Sequence, residues 1–224
     1  MYNYRQEGKL SPYFRFLENN LKKDGDLVEA GVFRGYSLLS VALFLKEKQS
    51  EKKIYAYDTY AGFPPVEDKN DSIEKFKDLY DSGNITKEHY MQVQSLIEIR
   101  KNFKENKMYA LSTSNKFENT SRELLEEKIG YLGLDNIILV EGSFNETMND
   151  HNPIRSDLYN SYKVALKFFW PRLIKGGCLY LDEYFSLKFP GARIATNEFL
   201  LDSDGSLIKY HDNPLDFERW FLKK

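Results

Sequence analysis

A chain of 224 residues is long enough to bury a substantial core in one large domain, and nothing in its length calls for a second. Its 32 Lys and Arg nearly balance 34 Asp and Glu, giving a formal charge of −2. That balance argues against a broad electrostatic footprint for nucleic acid or for an anionic membrane, and makes a small molecule the expected partner. The longest strongly apolar run, residues 38–45, is well short of a bilayer span, and residues 1–8 lack a signal-type apolar segment, so a soluble cytoplasmic protein is expected.

Residues 11–23 set Phe14, Phe16, Leu17 and Leu21 at helical spacing, which predicts an amphipathic helix ahead of Gly25. Leu27 and Val28 read as the end of a strand, Gly31 and Gly35 permit a tight backbone path, and residues 37–45 read as an apolar helix packed on a sheet. After a charged connection, residues 54–58 predict a second strand ending in Asp58. A right-handed βαβ crossover makes the two strands parallel and brings Glu29 and Asp58 to one carboxyl edge. From 61 to 119 the composition turns charged and strand-poor, with helices expected around 73–80 and 87–103. This reads as a helical insertion, either a lid over a ligand or a solvated decoration.

Thr120-Ser-Arg-Glu123 is a capping-box pattern that predicts a helix to about residue 131, and residues 136–140 predict a third strand. A long helix over 158–173 stops at Lys175-Gly-Gly177. A strand over 178–181 then ends at Asp182-Glu-Tyr184. A helix over 192–201 and strands at 207–210 and 219–222 complete the chain, the last two as an antiparallel hairpin. The expected fold is therefore α/β: a Rossmann-like, mostly parallel sheet with helices on both faces, a C-terminal hairpin and a helical insertion, all in a single domain.

The strand, glycine turn and helix at 27–45 place unpaired helix N–H groups beside a ligand, as nucleotide and cofactor sites do. The dinucleotide fingerprint needs glycines where Phe33 and Tyr36 stand, so a nicotinamide-dependent oxidoreductase is disfavoured and a nucleoside without a pyrophosphate fits better. Asp58 is placed to accept hydrogen bonds from a ribose diol. Asp157 precedes the helix that returns the chain to Asp182, so with Glu183 three hard oxygen donors share one sheet edge, suited to Mg²⁺ or another hard divalent cation. The competing reading makes Asp157 a helix N-cap and Asp182 and Glu183 solvated. The lone Cys178, in an apolar strand, reads as a packed thiol. His89, His151 and His211 read as surface residues, and no general base is evident.

Val28-Glu-Ala-Gly-Val-Phe-Arg-Gly-Tyr-Ser37 and Tyr57-Asp-Thr-Tyr-Ala-Gly-Phe-Pro64 resemble the class I S-adenosylmethionine-dependent methyltransferases. More narrowly, the chain resembles the macrocin O-methyltransferase family through residues 58–64, Asp157-Leu-Tyr-Asn-Ser161, Pro171-Arg-Leu-Ile-Lys-Gly-Gly177, Asp182-Glu-Tyr184 and Pro190-Gly-Ala-Arg193. The resemblance implies S-adenosylmethionine as cofactor, with Glu29, Gly31, Gly35 and Ser37 facing its methionine and ribose parts, Asp58 on the ribose and Gly142 and Ser143 near the adenine. Phe33, Tyr36 and Thr59, in the same two segments, complete the implied cofactor set. It further implies a divalent metal on Asp157, Asp182 and Glu183 that orients an acceptor hydroxyl, Asp182 as the catalytic residue, and a possible homodimer. The chain departs from the family at Arg155, at Glu183, and in the lack of an apolar strand-like run over 144–156. Those departures support an alternative, an inactive relative that serves as a cofactor-binding or interaction module.

Overall fold

The structure is a computed structural model that describes residues 2–8, 10–62, 69–102, 120–148, 158–211 and 218–224. The chain divides into two compact units, Met1–Phe63 with Phe117–Pro153, and Pro64–Lys116 with Ile154–Lys224.

The first unit is built on a parallel sheet of β1 (Leu27–Ala30), β2 (Ile54–Asp58) and β3 (Ile137–Glu141), in the order β1-β2-β3. Register pairs Leu27 with Ile54 and Ile54 with Ile137, and at the far end Asp58 with Glu141. The strand carboxyl ends therefore finish level, which is the parallel arrangement expected from the βαβ reading. Helix α1 (Ser11–Asn20) precedes the sheet, and α2 (Tyr36–Glu47) follows β1. Leu38, Leu39, Val41, Ala42, Phe44 and Leu45 of α2 are all buried, because a helix laid on a sheet and covered by an aromatic layer has little solvent face left. That layer is Phe14 against Phe44, Tyr2 and Tyr4, with ring centroids 5.2–5.5 Å apart.

The third helix of this unit, α5 (Arg122–Tyr131), is capped by Ser121, not by Thr120 as the capping-box pattern suggested. Ser121 Oγ accepts the Leu124 N–H at 3.2 Å, while the Thr120 hydroxyl donates to the Phe33 carbonyl at 2.5 Å. The tertiary partner has taken Thr120, and its neighbour does the capping. A reciprocal capping box does occur, at Ser143 and Glu146 on the short helix α6 (Phe144–Thr147).

In the second unit the sheet is antiparallel throughout, with β4 (Cys178–Leu181) beside β6 (Arg219–Lys223) and β6 beside β5 (Ser206–His211). The C-terminal hairpin is as expected. Its partner β4 pairs antiparallel with β6, so the two strand directions are divided between two sheets. Helices α7 (Leu158–Arg172) and α8 (Pro190–Leu201) pack here, with Leu166, Trp170, Leu181, Tyr184 and Leu222 forming the core.

The insertion contributes α3 (Lys75–Asp81) and α4 (Lys87–Asn102) to this same unit. Phe76, Leu79, Ile85 and Val93 form their joint core, with Leu187 and Ile194 packed against it. Arg193 fastens the arrangement: its guanidinium is buried, donates to the Asn84 and Tyr184 carbonyls at 2.6 and 3.1 Å, and lies 4.2 Å from the Tyr184 ring centroid. Burial pushes its pKa down. The two carbonyls and the ring face supply favourable electrostatics to a cation taken out of water.

Candidate cofactor and metal sites

The carboxyl edge of the parallel sheet gathers the residues that the glycine-loop reading singled out. Gly31 follows β1 with φ +86°, and its N–H bonds to the Tyr57 carbonyl at 2.9 Å. Gly142 follows β3, and its N–H bonds to the Asp58 carbonyl at 3.0 Å. Each strand exit is thus tied by backbone to the next. A Cβ added at Gly31 would meet nothing within 4 Å, so the turn has open space beside it.

The Asp58 carboxylate lies at the centre of this edge. Its Oδ2 accepts the N–H groups of Val32 and Phe33 at 2.6 and 2.9 Å, and its Oδ1 accepts the Tyr60 N–H at 2.9 Å. Thr59 sits 3.5 Å from Oδ1, but its hydroxyl donates at 3.0 Å to the Gly62 carbonyl. Phe33 and Tyr60, both non-glycine, have φ +51°. Two residues in the sparsely populated left-handed region are thus held by one carboxylate.

Glu29 is half-buried at the end of β1, where its Oε1 accepts the Ser37 hydroxyl at 2.7 Å. That bond ties β1 to the first turn of α2. Gly35 is the N-cap of α2, with φ +77°, and Tyr36 beside it is 44% exposed, its ring meeting the edge of Tyr2 at a centroid distance of 6.1 Å. Ser143 caps α6, its N–H and hydroxyl both donating to Glu146 Oε2 at 2.9 and 2.8 Å. The hydroxyl lowers the Glu146 pKa. Tyr60 went unnoticed in the sequence. It is buried, donates to the Ala56 carbonyl at 2.7 Å, and is kept protonated by burial and by the Asp58 charge.

In the second unit Asp182 and Glu183 follow β4, Asp182 exposed and Glu183 half-buried. Asp157 lies outside the described residues, as do residues 149–156 of the stretch 144–156 where the sequence lacks a strand-like run. Among the described residues no group of three or more His, Cys, Asp and Glu is placed to hold a metal ion. A further residue missed by sequence reasoning is Tyr162 of α7. Its ring packs against the core cluster and its oxygen accepts the Glu183 N–H at 3.2 Å. Burial first, and then the Glu183 charge, raise its pKa.

His89 corrects an expectation. It is 3% exposed, its Nε2 lies 2.7 Å from the Ser186 carbonyl, and its ring lies 4.2 Å from that of Phe185. Burial pushes its pKa down to about 4. The neutral ring therefore carries its proton on Nε2 and donates it to Ser186. His211 belongs to β5, and His151 lies outside the described residues. No helix among the described residues is long and apolar enough to cross a membrane.

Comparison with known proteins gives the site a context. The macrocin-O-methyltransferase (TylF) family model matches residues 16–110. A Streptomyces olivaceus protein described as 8-demethyl-8-(2,3-dimethoxy-alpha-L-rhamnosyl)-tetracenomycin-C 4'-O-methyltransferase is 24% identical over 168 residues. The alignment covers 71% of this chain and 53% of that protein, so the chain spans about half the length of the curated relative it matches. The solved structure of the O-methyltransferase NovP superposes with TM-score 0.62 at 17% identity, over 95% of this chain and 79% of that one. That of CalS11, a calicheamicin methyltransferase, gives 0.58 at 21%, over 96% and 77%. These likenesses show a methyltransferase fold.

Proposed function

We propose that this chain, a relative of the macrocin O-methyltransferases by its match over residues 16–110, is an S-adenosylmethionine-dependent O-methyltransferase acting on a hydroxyl of a sugar or sugar-bearing small metabolite. The observation that carries the reading is the shared edge at which Glu29, Gly31, Asp58 and Gly142 leave three adjacent parallel strands. Open α/β sheets take nucleoside ligands outside such strand ends. The acceptor class rests on the printed activity of the curated relative, which is directed at a rhamnosyl group.

When bound, the cofactor would supply an electrophilic methyl group to the acceptor oxygen and leave as a neutral thioether as its carbon–sulfur bond breaks, with the hydroxyl proton passing to water. Carboxylates at the strand ends favour the cationic cofactor electrostatically, and the rigid turn at Gly31 fixes its approach, so the chain contributes mainly positioning. His89 is unsuited as the base, because its proton already serves Ser186 and its basicity is depressed. Asp182 and Glu183, with Asp157, would hold a hard divalent cation. Adjacent carboxylates at a strand end fit Mg²⁺, which takes one or two carboxylates and keeps several waters. When bound, the cation would lower the pKa of the acceptor hydroxyl.

Isothermal titration with S-adenosylhomocysteine tests the cofactor half, and saturable one-to-one binding is expected. Failure to bind in the folded protein would end the reading. Mn²⁺ titration followed by electron paramagnetic resonance tests the metal half. Asp182→Ala should weaken Mn²⁺ binding at least tenfold while leaving S-adenosylhomocysteine affinity within twofold.

A further inference from the structure

We infer that Asp58 acts on the cofactor chiefly as a positioning residue, clamping two left-handed turns into the shape that receives the nucleoside, and only secondarily as a direct ribose ligand. The inference rests on the methyltransferase reading for the identity of the ligand, and on the hydrogen-bond geometry for the clamp.

A carboxylate offers about four lone-pair positions. Three are occupied by the backbone N–H groups of Val32, Phe33 and Tyr60 at 2.6–2.9 Å, and the Thr59 hydroxyl stands 3.5 Å from Oδ1. At most one position remains for a ligand, which is too few for both hydroxyls of a diol. The three donors belong to the turn after β1 and to the turn after β2, so a single side chain joins the two loops that flank the open Gly31 surface. At φ +51° Phe33 and Tyr60 each carry a backbone cost, since that region disfavours residues with a Cβ. Charge-assisted bonds from their amides to Asp58 offset that cost. The Thr120 hydroxyl, bonded to the Phe33 carbonyl, fixes the same residue from its other side. Asparagine cannot replace this carboxylate. Its NH₂ would have to face either the Val32 and Phe33 pair or Tyr60, setting donor against donor.

The experiment is a thermodynamic cycle on wild type and Asp58→Asn, using S-adenosylhomocysteine and its 2′,3′-dideoxy analogue as probes, with amide hydrogen exchange measured on the free protein. A clamp predicts at least a tenfold loss of affinity for both probes in Asp58→Asn, with the ratio between them changed less than threefold. It also predicts at least tenfold faster exchange at Val32, Phe33 and Tyr60 before any ligand is added. Unchanged exchange overturns the inference, and so does a probe ratio that falls from tenfold or more in wild type to near one in the variant, the mark of a residue bound directly to the diol. Should Asp58→Asn fold poorly, Asp58→Ala with and without formate provides the second variant. Formate in the vacated space restores S-adenosylhomocysteine affinity if a carboxylate clamp is what was lost, and leaves it unrestored if not. Wild type that fails to bind S-adenosylhomocysteine overturns the methyltransferase reading and the ligand half of this inference, while the exchange rates judge the clamp by themselves.

Discussion

Gly31 and Gly35 look alike in the sequence, four residues apart in one loop, yet they do different work. Both have positive φ, +86° and +77°, so a side chain at either is strained by about 1 kcal/mol. The surroundings separate them. A Cβ on Gly35 would lie 2.6 Å from Leu125 Cδ1 and 3.3 Å from Leu39 Cγ, whereas at Gly31 it would meet nothing within 4 Å. Gly35→Ala should therefore lower stability in urea by about 2 kcal/mol, strain and overpacking together. Gly31→Ala should cost only about 1 kcal/mol of stability but weaken that ligand at least tenfold. The opposite pattern, Gly31→Ala hurting stability more than binding, would refute the assignment of Gly31 to the ligand surface. The glycines were legible as a tight turn. Their division was not, because it depends on Leu125, ninety residues further along the chain.

At the scale of elements, the strands at 54–58 and 178–181 and the helix over 87–102 fall where periodicity placed them, because pattern and propensity agree there. What periodicity cannot supply is strand direction and the partners of polar residues. The run over 178–181 reads as a strand whichever way its neighbour runs, and only pairing of Leu179 with Leu222 makes it antiparallel. His89 was misjudged for a related reason: α4 alternates polar and apolar residues weakly, so nothing local marks its position as the inward one. The structure sets it with Val93 among the buried residues of the insertion. Its burial makes a pH prediction with a definite sign. A histidine whose pKa falls to about 4 on folding, from 6.5, stays neutral in the native state while the unfolded chain takes up a proton. Its contribution is present above pH 6.5, declines as pH falls towards 4, and changes no further below that. At 1.36 kcal/mol per pKa unit the total is about 3 kcal/mol. Chemical denaturation between pH 7.5 and 4 should show His89→Gln, which keeps a donor for the Ser186 carbonyl but cannot titrate, losing less stability than wild type across that window. Parallel pH profiles for the two proteins would show that His89 does not set the acid sensitivity.

For the molecule as a whole, the α/β class and the C-terminal hairpin were legible, but the interleaving of the chain was not. Residues 61–119 read as an insertion into one domain, and of these 64–116 cluster with residues 154–224, through contacts such as Arg193 with Asn84 and Tyr159 with Asp71 that span about a hundred positions. No local pattern encodes such pairings. The division has a thermodynamic consequence. Every described residue assigned to the cofactor (Glu29, Gly31, Phe33, Gly35, Tyr36, Ser37, Asp58, Thr59, Gly142 and Ser143) lies in the first unit, and both described carboxylates assigned to the metal lie in the second. A ligand that binds only the native state stabilises it by RT ln(1 + [L]/Kd), about 2.7 kcal/mol at a hundredfold excess over Kd. S-adenosylhomocysteine should therefore slow amide exchange foremost in β1, β2, β3 and the start of α2, and Mn²⁺ foremost around β4 and the Glu183 amide that bonds to Tyr162. Where opening is local to one unit, the protection from each ligand should stay within its own. Equal slowing of α4 and α8 by S-adenosylhomocysteine alone would mean that the cofactor draws on residues of the second unit, and that the set along the parallel sheet edge is incomplete.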